Sequence, residues 1–297
     1  MQPKIGPDRL TILDGSMGQE LIRTGAVEGT ARWATEGLLT NPAAVVALHR
    51  SYIAAGVDVI TTNSYSVTQD RFVRFGMEGR LGEMLSIAGE LAQRARAESG
   101  RDVAIAASLP PLQGSYRPDL ERPYEFDLPL YREIVDGIDP YVDLFLCETM
   151  PTLSEARAAA EAASGRGKPV WVAWTLQNGG PEGLLSGESW NEAVDAVAAD
   201  AYLINCSEPE VISAALPFLR KAAGDTRIGA YGNGFQAVPV GWSNLDGDPL
   251  PGARVDLDPA KYTRFVQQWI EAGATIVGGC CEIGTAHMEH LCAALRG

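Results

Sequence analysis

Short runs of apolar and β-branched residues alternate with longer amphipathic stretches along nearly the whole chain. The runs predict eight strands: Thr11–Gly15, Val57–Asn63, Val103–Ser108, Val142–Cys147, Pro169–Thr175, Ala201–Cys206, Arg227–Tyr231 and Thr275–Gly279. Many are continuously apolar rather than alternating, as in a parallel sheet covered on both faces. The stretches between them predict helices. Asn41 before Pro42 is a cap with proline at the first helical position, and Val45, Leu48 and Tyr52 follow as one apolar stripe. Thr152 with Glu155, and Ser189 with Glu192, both fit the capping box. Asp258 before Pro259 opens a helix whose stripe includes Phe265, Trp269 and Ile270. Such alternation suits either a closed barrel or a doubly wound open sheet. No linker divides the chain, so residues 1–297 read as one domain. The longest irregular stretches, Pro110–Asp127 and Gly232–Asp256, follow strands at the end where a barrel carries its active site.

Composition narrows the function classes. Apolar residues make up 46% and charged residues 21%, a soluble globular balance, and 32 glycines and 18 prolines are spread without a low-complexity tract. A net charge of −14 with no basic patch excludes nucleic acid and an anionic membrane as partners. Met1 to Leu10 holds Pro3, Gly6 and Pro7 before any apolar run, which does not read as a signal peptide, and no apolar stretch is long enough to span a bilayer. Five cysteines, two of them adjacent, argue against a disulfide framework and for a reducing, cytoplasmic setting.

The strongest chemical signal is Gly278-Gly279-Cys280-Cys281, just after the last predicted strand. Successive strand side chains point to opposite faces, so two adjacent thiols converge only at an irregular strand end, where the glycines would free the backbone. Cys206 ends the sixth strand, separated from the eighth by one strand. Three thiols with one position left open suit catalytic zinc; the competing reading is three small buried hydrophobes. Cys147 and Cys292 read as packed residues, and His287 and His290 share a helical face in a solvent-facing or capping role. Asp14 closes strand one and Glu148 follows strand four, positions poor for core packing and suited to a ligand with a positive group. Asn63, Tyr65 and Asn205 add neutral hydrogen-bonding groups to the same rim. Gly15 to Gly18 lacks the third glycine of a dinucleotide fingerprint, and no phosphate-binding loop of the Gly-x-x-x-x-Gly-Lys type occurs.

These residues resemble the homocysteine S-methyltransferase family, zinc-thiolate enzymes related to betaine–homocysteine methyltransferase and to the homocysteine-binding domain of cobalamin-dependent methionine synthase. The likeness runs from about Leu13 to Leu291. It is carried by Leu13–Glu20, Thr62–Tyr65, Glu148–Pro151 followed by Glu155-Ala156, Asn205-Cys206, and Gly278–Cys281. It implies an α/β fold of the (β/α)8 TIM-barrel type, which decides between the two architectures. It also implies that Cys206, Cys280 and Cys281 hold Zn2+ and activate the substrate thiol, that Asp14 and Glu148 hold the amino group of homocysteine, and that Asn63 and Tyr65 lie in the substrate site. The expected reaction is methyl transfer to homocysteine, giving methionine. Two stretches depart from the family pattern: Ser108-Leu109-Pro110-Pro111 after strand three and Tyr231-Gly232-Asn233-Gly234 after strand seven. Both bear on the methyl donor. A chain this short has no room for folate and cobalamin modules, so the expected donor is a sulfonium, S-methylmethionine or S-adenosylmethionine. Betaine or another onium is the alternative, with Tyr116, Tyr124, Phe126, Phe235 and Trp242 as candidate cation–π partners. A role as methyl-accepting component beside a corrinoid protein partner, a homo-oligomer, and a non-catalytic zinc barrel stay open.

Overall fold

All eight predicted strands form, and every pairing is parallel. They are β1 (Thr11–Ile12), β2 (Val59–Thr61), β3 (Ala104–Leu109), β4 (Leu144–Met150), β5 (Val170–Trp174), β6 (Ala201–Asn205), β7 (Arg227–Tyr231) and β8 (Ala274–Val277). A computed structural model describes residues 5–6, 9–30, 32–176, 179–242 and 250–297. The sheet order is β1-β8-β7-β6-β5-β4-β3-β2, and a parallel bridge from Leu13 to Val59 brings its two edges together. Asp58 tightens that seam: its N–H donates to the Ile12 carbonyl at 2.8 Å, and its carboxylate accepts from the Ile12 N–H at 2.9 Å. The result is a (β/α)8 barrel.

Helices lie between the strands: α1 (Gly18–Arg23), α2 (Ala34–Thr40), α3 (Pro42–Ala55), α4 (Gln69–Arg74), α5 (Leu81–Ser99), α6 (Tyr124–Ile138), α7 (Leu153–Ala163), α8 (Trp190–Ala196), α9 (Pro209–Ala223), α10 (Pro259–Glu271) and α11 (Thr285–Arg296). Among the described residues, no helix is long and apolar enough to cross a membrane. The Asn41 side chain caps α3 by accepting from the Ala44 N–H, and Asp258 caps α10 by accepting from Lys261. Ser189 and Glu192 form the complete capping box of α8. At α7 only half of it forms. Thr152 accepts from the Glu155 N–H, but the Glu155 carboxylate accepts from the Leu112 N–H instead and pins the loop after β3. That loop is also more regular than expected, because α6 begins at Tyr124, inside the stretch that reads as irregular.

Alternation along the strands sorts the core into two layers. Leu144, Leu146, Trp171, Ala173, Ala201, Leu203 and Ile276 fill the lumen of the barrel. Phe145, Cys147, Val172, Tyr202 and Ile204 pack outward against the helices. The same count of two carries Glu148 inward above Leu146, and Asn205 inward above Leu203. Thr61 and Ser108 stand likewise above Val59 and Ala106. The upper layer of the lumen is therefore polar.

Candidate active site

The barrel mouth opens into a cavity of about 840 Å3, counted out to its open side, that touches the ends of most strands. Cys206 directly follows β6, where simple alternation would point it outward. Its φ of +46° turns it into the mouth instead. Cys280 and Cys281 follow β8 through Gly278 and Gly279. Neither glycine has a positive φ, so they serve close approach rather than backbone freedom: a Cβ at Gly278 would lie 2.6 Å from the Leu13 Cβ, and one at Gly279 would lie 2.4 Å from Ile283 Cγ2. The Cys280 N–H donates to the Gly232 carbonyl at 3.0 Å, and the Cys281 carbonyl accepts from the Gly234 N–H at 2.8 Å.

The three sulfurs all lie within 4.8 Å of one another, with Cys206 Sγ 3.5 Å from Cys281 Sγ. Burial opposes ionisation of Cys206, but hydrogen bonds from Cys280, Cys281 and Tyr116 hold its thiol well below the ordinary range. Burial pushes Cys280 up, and Cys281 is raised first by its hydrogen bond to Cys206. Three thiols this close together cannot all ionise unaided. Holding all three as thiolates calls for a cation, and a soft three-thiolate set fits zinc. Tyr116, from the loop after β3, brings its hydroxyl to 3.0 Å from Cys206 Sγ.

Two buried carboxyls share the cavity. Asp14, just beyond β1, accepts from the Thr61 N–H and hydroxyl, both at 2.8 Å. Glu148 lies within β4 rather than after it, because the strand runs on to Met150. It accepts from Ser108 Oγ at 2.5 Å and from the Tyr231 hydroxyl at 3.1 Å. Burial pushes both carboxyls up to about 7, and the charge of Glu148 adds to the rise at Asp14. A cavity with two such buried acidic groups favours a cationic ligand group.

Tyr65 hydrogen-bonds Ser115 at 2.6 Å and meets the Trp33 ring edge-to-face at 5.6 Å. Asn63 also lines the cavity; its Nδ2 donates to the Ala34 carbonyl at 2.9 Å, and its Oδ1 has no partner among the described residues. Of the five mouth aromatics, three assemble. Tyr116 and Phe235 both pack on Trp242, at 5.7 and 6.2 Å between centroids, and the group rests on Cys281. Tyr124 and Phe126 lie on α6 instead, Tyr124 under the Arg157 guanidinium and Phe126 in solvent. His287 and His290 bind the Leu257 carbonyl and Thr263, joining α11 to α10 and its approach. His290 is exposed and His287 half-buried, so the solvent-facing expectation holds for His290, and neither caps a helix. Cys147 and Cys292 are packed.

Asn205 is fully buried, and its amide is committed to Thr149, so it is not a rim group for ligand. Sequence reasoning missed Trp33, Thr61 and Ser115, and noted Ser108 and Tyr231 only within stretches bearing on the donor, not as partners of the carboxyls. For Thr61, Ser108 and Tyr231 a signal was present: each is a polar group in lumen register at a strand's upper end.

Comparison with known proteins shows the family. The family model for homocysteine S-methyltransferase matches residues 11–295. The selenocysteine methyltransferase of Astragalus bisulcatus is 28% identical, over 92% of this chain and 88% of its own length. The betaine-homocysteine S-methyltransferase of Drosophila melanogaster is 28% identical, over 88% of this chain and 86% of its own. The metallated form of the homocysteine methyltransferase MmuM from Escherichia coli superposes with a TM-score of 0.80 at 27% identity, covering 97% of each chain. With the matched region spanning the barrel from β1 to α11, the chain is an enzyme belonging to the homocysteine S-methyltransferase family.

Proposed function

We propose that this enzyme transfers a methyl group from a sulfonium donor, S-methylmethionine or S-adenosylmethionine, to the thiol of L-homocysteine, giving methionine, at a zinc ion held by Cys206, Cys280 and Cys281. The observation that carries the reading is one cavity at the barrel mouth lined by three convergent sulfurs and two carboxyls. Homocysteine is an amino acid with a thiol at its far end, and it carries the two functions, an ammonium and a sulfur, that these groups would receive. The whole chain, residues 1–297, serves as one homocysteine-binding domain acting on small molecules. All five cysteines being free suits a reducing, cytoplasmic setting.

Zinc, when bound, supplies a Lewis acid that keeps the substrate sulfur ionised at neutral pH. The chain's own groups do the rest. Glu148 and Asp14 hold the ammonium, and Ser108, Tyr231 and Thr61 hold those carboxylates in place. The sulfur lone pair attacks the methyl carbon, the bond from carbon to the donor's positive sulfur breaks, and its electron pair stays on that sulfur. A neutral thioether leaves and needs no proton, so the carboxylates have no acid–base work. Tyr116, Phe235 and Trp242 wall the mouth near the thiols and exclude water, which strengthens the electrostatics of the site. The same trio supports betaine or another onium as a second reading of the donor.

The test is turnover by zinc-loaded protein with homocysteine against S-methylmethionine, S-adenosylmethionine and betaine. Methionine formed with betaine but with neither sulfonium would overturn the donor assignment. Cys280→Ala should lose both metal and turnover, whereas Cys292→Ala should keep both; elemental analysis alongside the assay checks this.

A further inference from the structure

Asn205 spans the gap between the two halves of the site. It lies at the end of β6, fully buried, and reaches past β5 to β4. Its Oδ1 accepts from the Thr149 N–H at 2.8 Å, and its Nδ2 donates to the Thr149 hydroxyl at 2.8 Å. Thr149 is held at φ +61°, and the residue after Asn205, Cys206, at φ +46°. A β-branched residue in the left-handed region is a genuine outlier, which persists only where the surroundings over-determine it. The pairing of β4 with β5 is interrupted between Cys147 and Met150 at this point, so the sheet ladder does not fix the bend. The amide of Asn205 holds Thr149 at both its N–H and its hydroxyl, and the Tyr65 hydroxyl hydrogen-bonds the Thr149 side chain only. Glu148 is the residue immediately before the bend, and Cys206 is the residue immediately after the amide.

We propose that Asn205 is a positioning residue that sets the distance between the ammonium site at Glu148 and the sulfur site at Cys206, and so selects a thiol carrying an α-amino group at homocysteine's spacing. Without the amide, Thr149 is free to relax toward extended backbone. Glu148 then leaves its contacts with Ser108 and Tyr231, while the three sulfurs stay where β6 and β8 put them. The inference rests on Glu148 being the partner of the substrate ammonium.

The experiment is calorimetric binding to zinc-loaded protein, which needs no methyl donor, using homocysteine and its desamino analogue 4-mercaptobutyrate. Asn205→Ala should raise the Kd for homocysteine about tenfold, leave that for 4-mercaptobutyrate within about twofold, and keep the zinc content. Adding Thr149→Gly should recover most of the loss, because glycine takes a positive φ without the clamp. A purely structural role would weaken both thiols alike and would gain nothing from a glycine that loosens the chain. Equal weakening of both thiols, or no rescue by Thr149→Gly, overturns the proposal. If Asn205→Ala does not accumulate as folded protein, Asn205→Asp keeps the acceptor for the Thr149 N–H, loses the donor, and should give a smaller loss with the same selectivity. Glu148→Gln separates the two readings. If it leaves the preference for homocysteine intact, the ammonium assignment fails; if it removes the preference while Asn205→Ala retains it, the clamp fails.

Discussion

Glu148 and Asp14 are hard to ionise where they stand. Burial pushes each carboxyl up to about 7, so near neutrality the empty site holds a mixture of charged and neutral forms. Only the charged form attracts an ammonium. As pH falls below about 7 the carboxyls take up protons, and kcat/KM for homocysteine should fall with them. The substrate thiol also titrates, so the quantity to follow is the ratio of kcat/KM for homocysteine to that for 4-mercaptobutyrate between pH 8 and pH 6. That ratio should drop and should flatten in Glu148→Gln. A charged hydrogen bond of this kind is worth roughly 1.5–3 kcal/mol, so Glu148→Gln should cost about one to two decades in kcat/KM, less at saturating substrate, with zinc retained. A ratio that stays constant in the wild type would place these carboxyls outside substrate binding. Both acids stood out in the sequence because a carboxylate at a strand end is a poor core residue. Thr61, Ser108 and Tyr231 carried only the weaker signal of a polar group in lumen register, and which carboxylate each would hold depends on the strand that becomes its neighbour.

Among the elements, α7 and α8 show how similar signals diverge. Ser189 and Glu192 complete their box on the surface, where nothing competes. Glu155 is buried beside the loop after β3, and it satisfies the Leu112 N–H and approaches the Tyr131 hydroxyl at 3.3 Å rather than returning to its own cap. Its helix start is thereby tied to the loop that carries Ser115 and Tyr116 into the cavity. Glu155→Ala should cost about 1–3 kcal/mol through the buried groups it leaves unpartnered, and it should lower kcat/KM as the loop loosens. Ser189→Ala should cost about 1 kcal/mol and leave kcat/KM unchanged. Thermal melts and kinetics on the two variants together check the contrast. Equal kinetic effects would mean that the loop does not depend on this anchor.

For the molecule as a whole, the proposed binding of an ammonium at Asp14 and stability pull in opposite directions. The folded Asp14 carboxyl keeps its proton up to about 7, whereas its ordinary value is 3.8. Between those values the folded state binds more protons than the unfolded one, so this group makes stability fall as pH rises through that window. Asp14→Asn can keep both contacts with Thr61, as acceptor to its N–H and donor to its hydroxyl. In zinc-free, substrate-free protein it should melt above the wild type at pH 8, with the gain shrinking toward pH 5. A gain independent of pH would show that the carboxyl's charge is not the cause. The sequence by itself determined the parallel α/β alternation, the eight strands, most helix caps and the order of the three thiols, because periodicity and capping are local and the thiols sit on strand ends. Only the tertiary structure decided that β4 runs on through Glu148, that Gly278 and Gly279 serve close packing, and that Asn205 holds a strained Thr149. It also decided which aromatics reach the mouth. Each depends on which strands become neighbours when the barrel closes, and contacts of that kind leave no period in the chain.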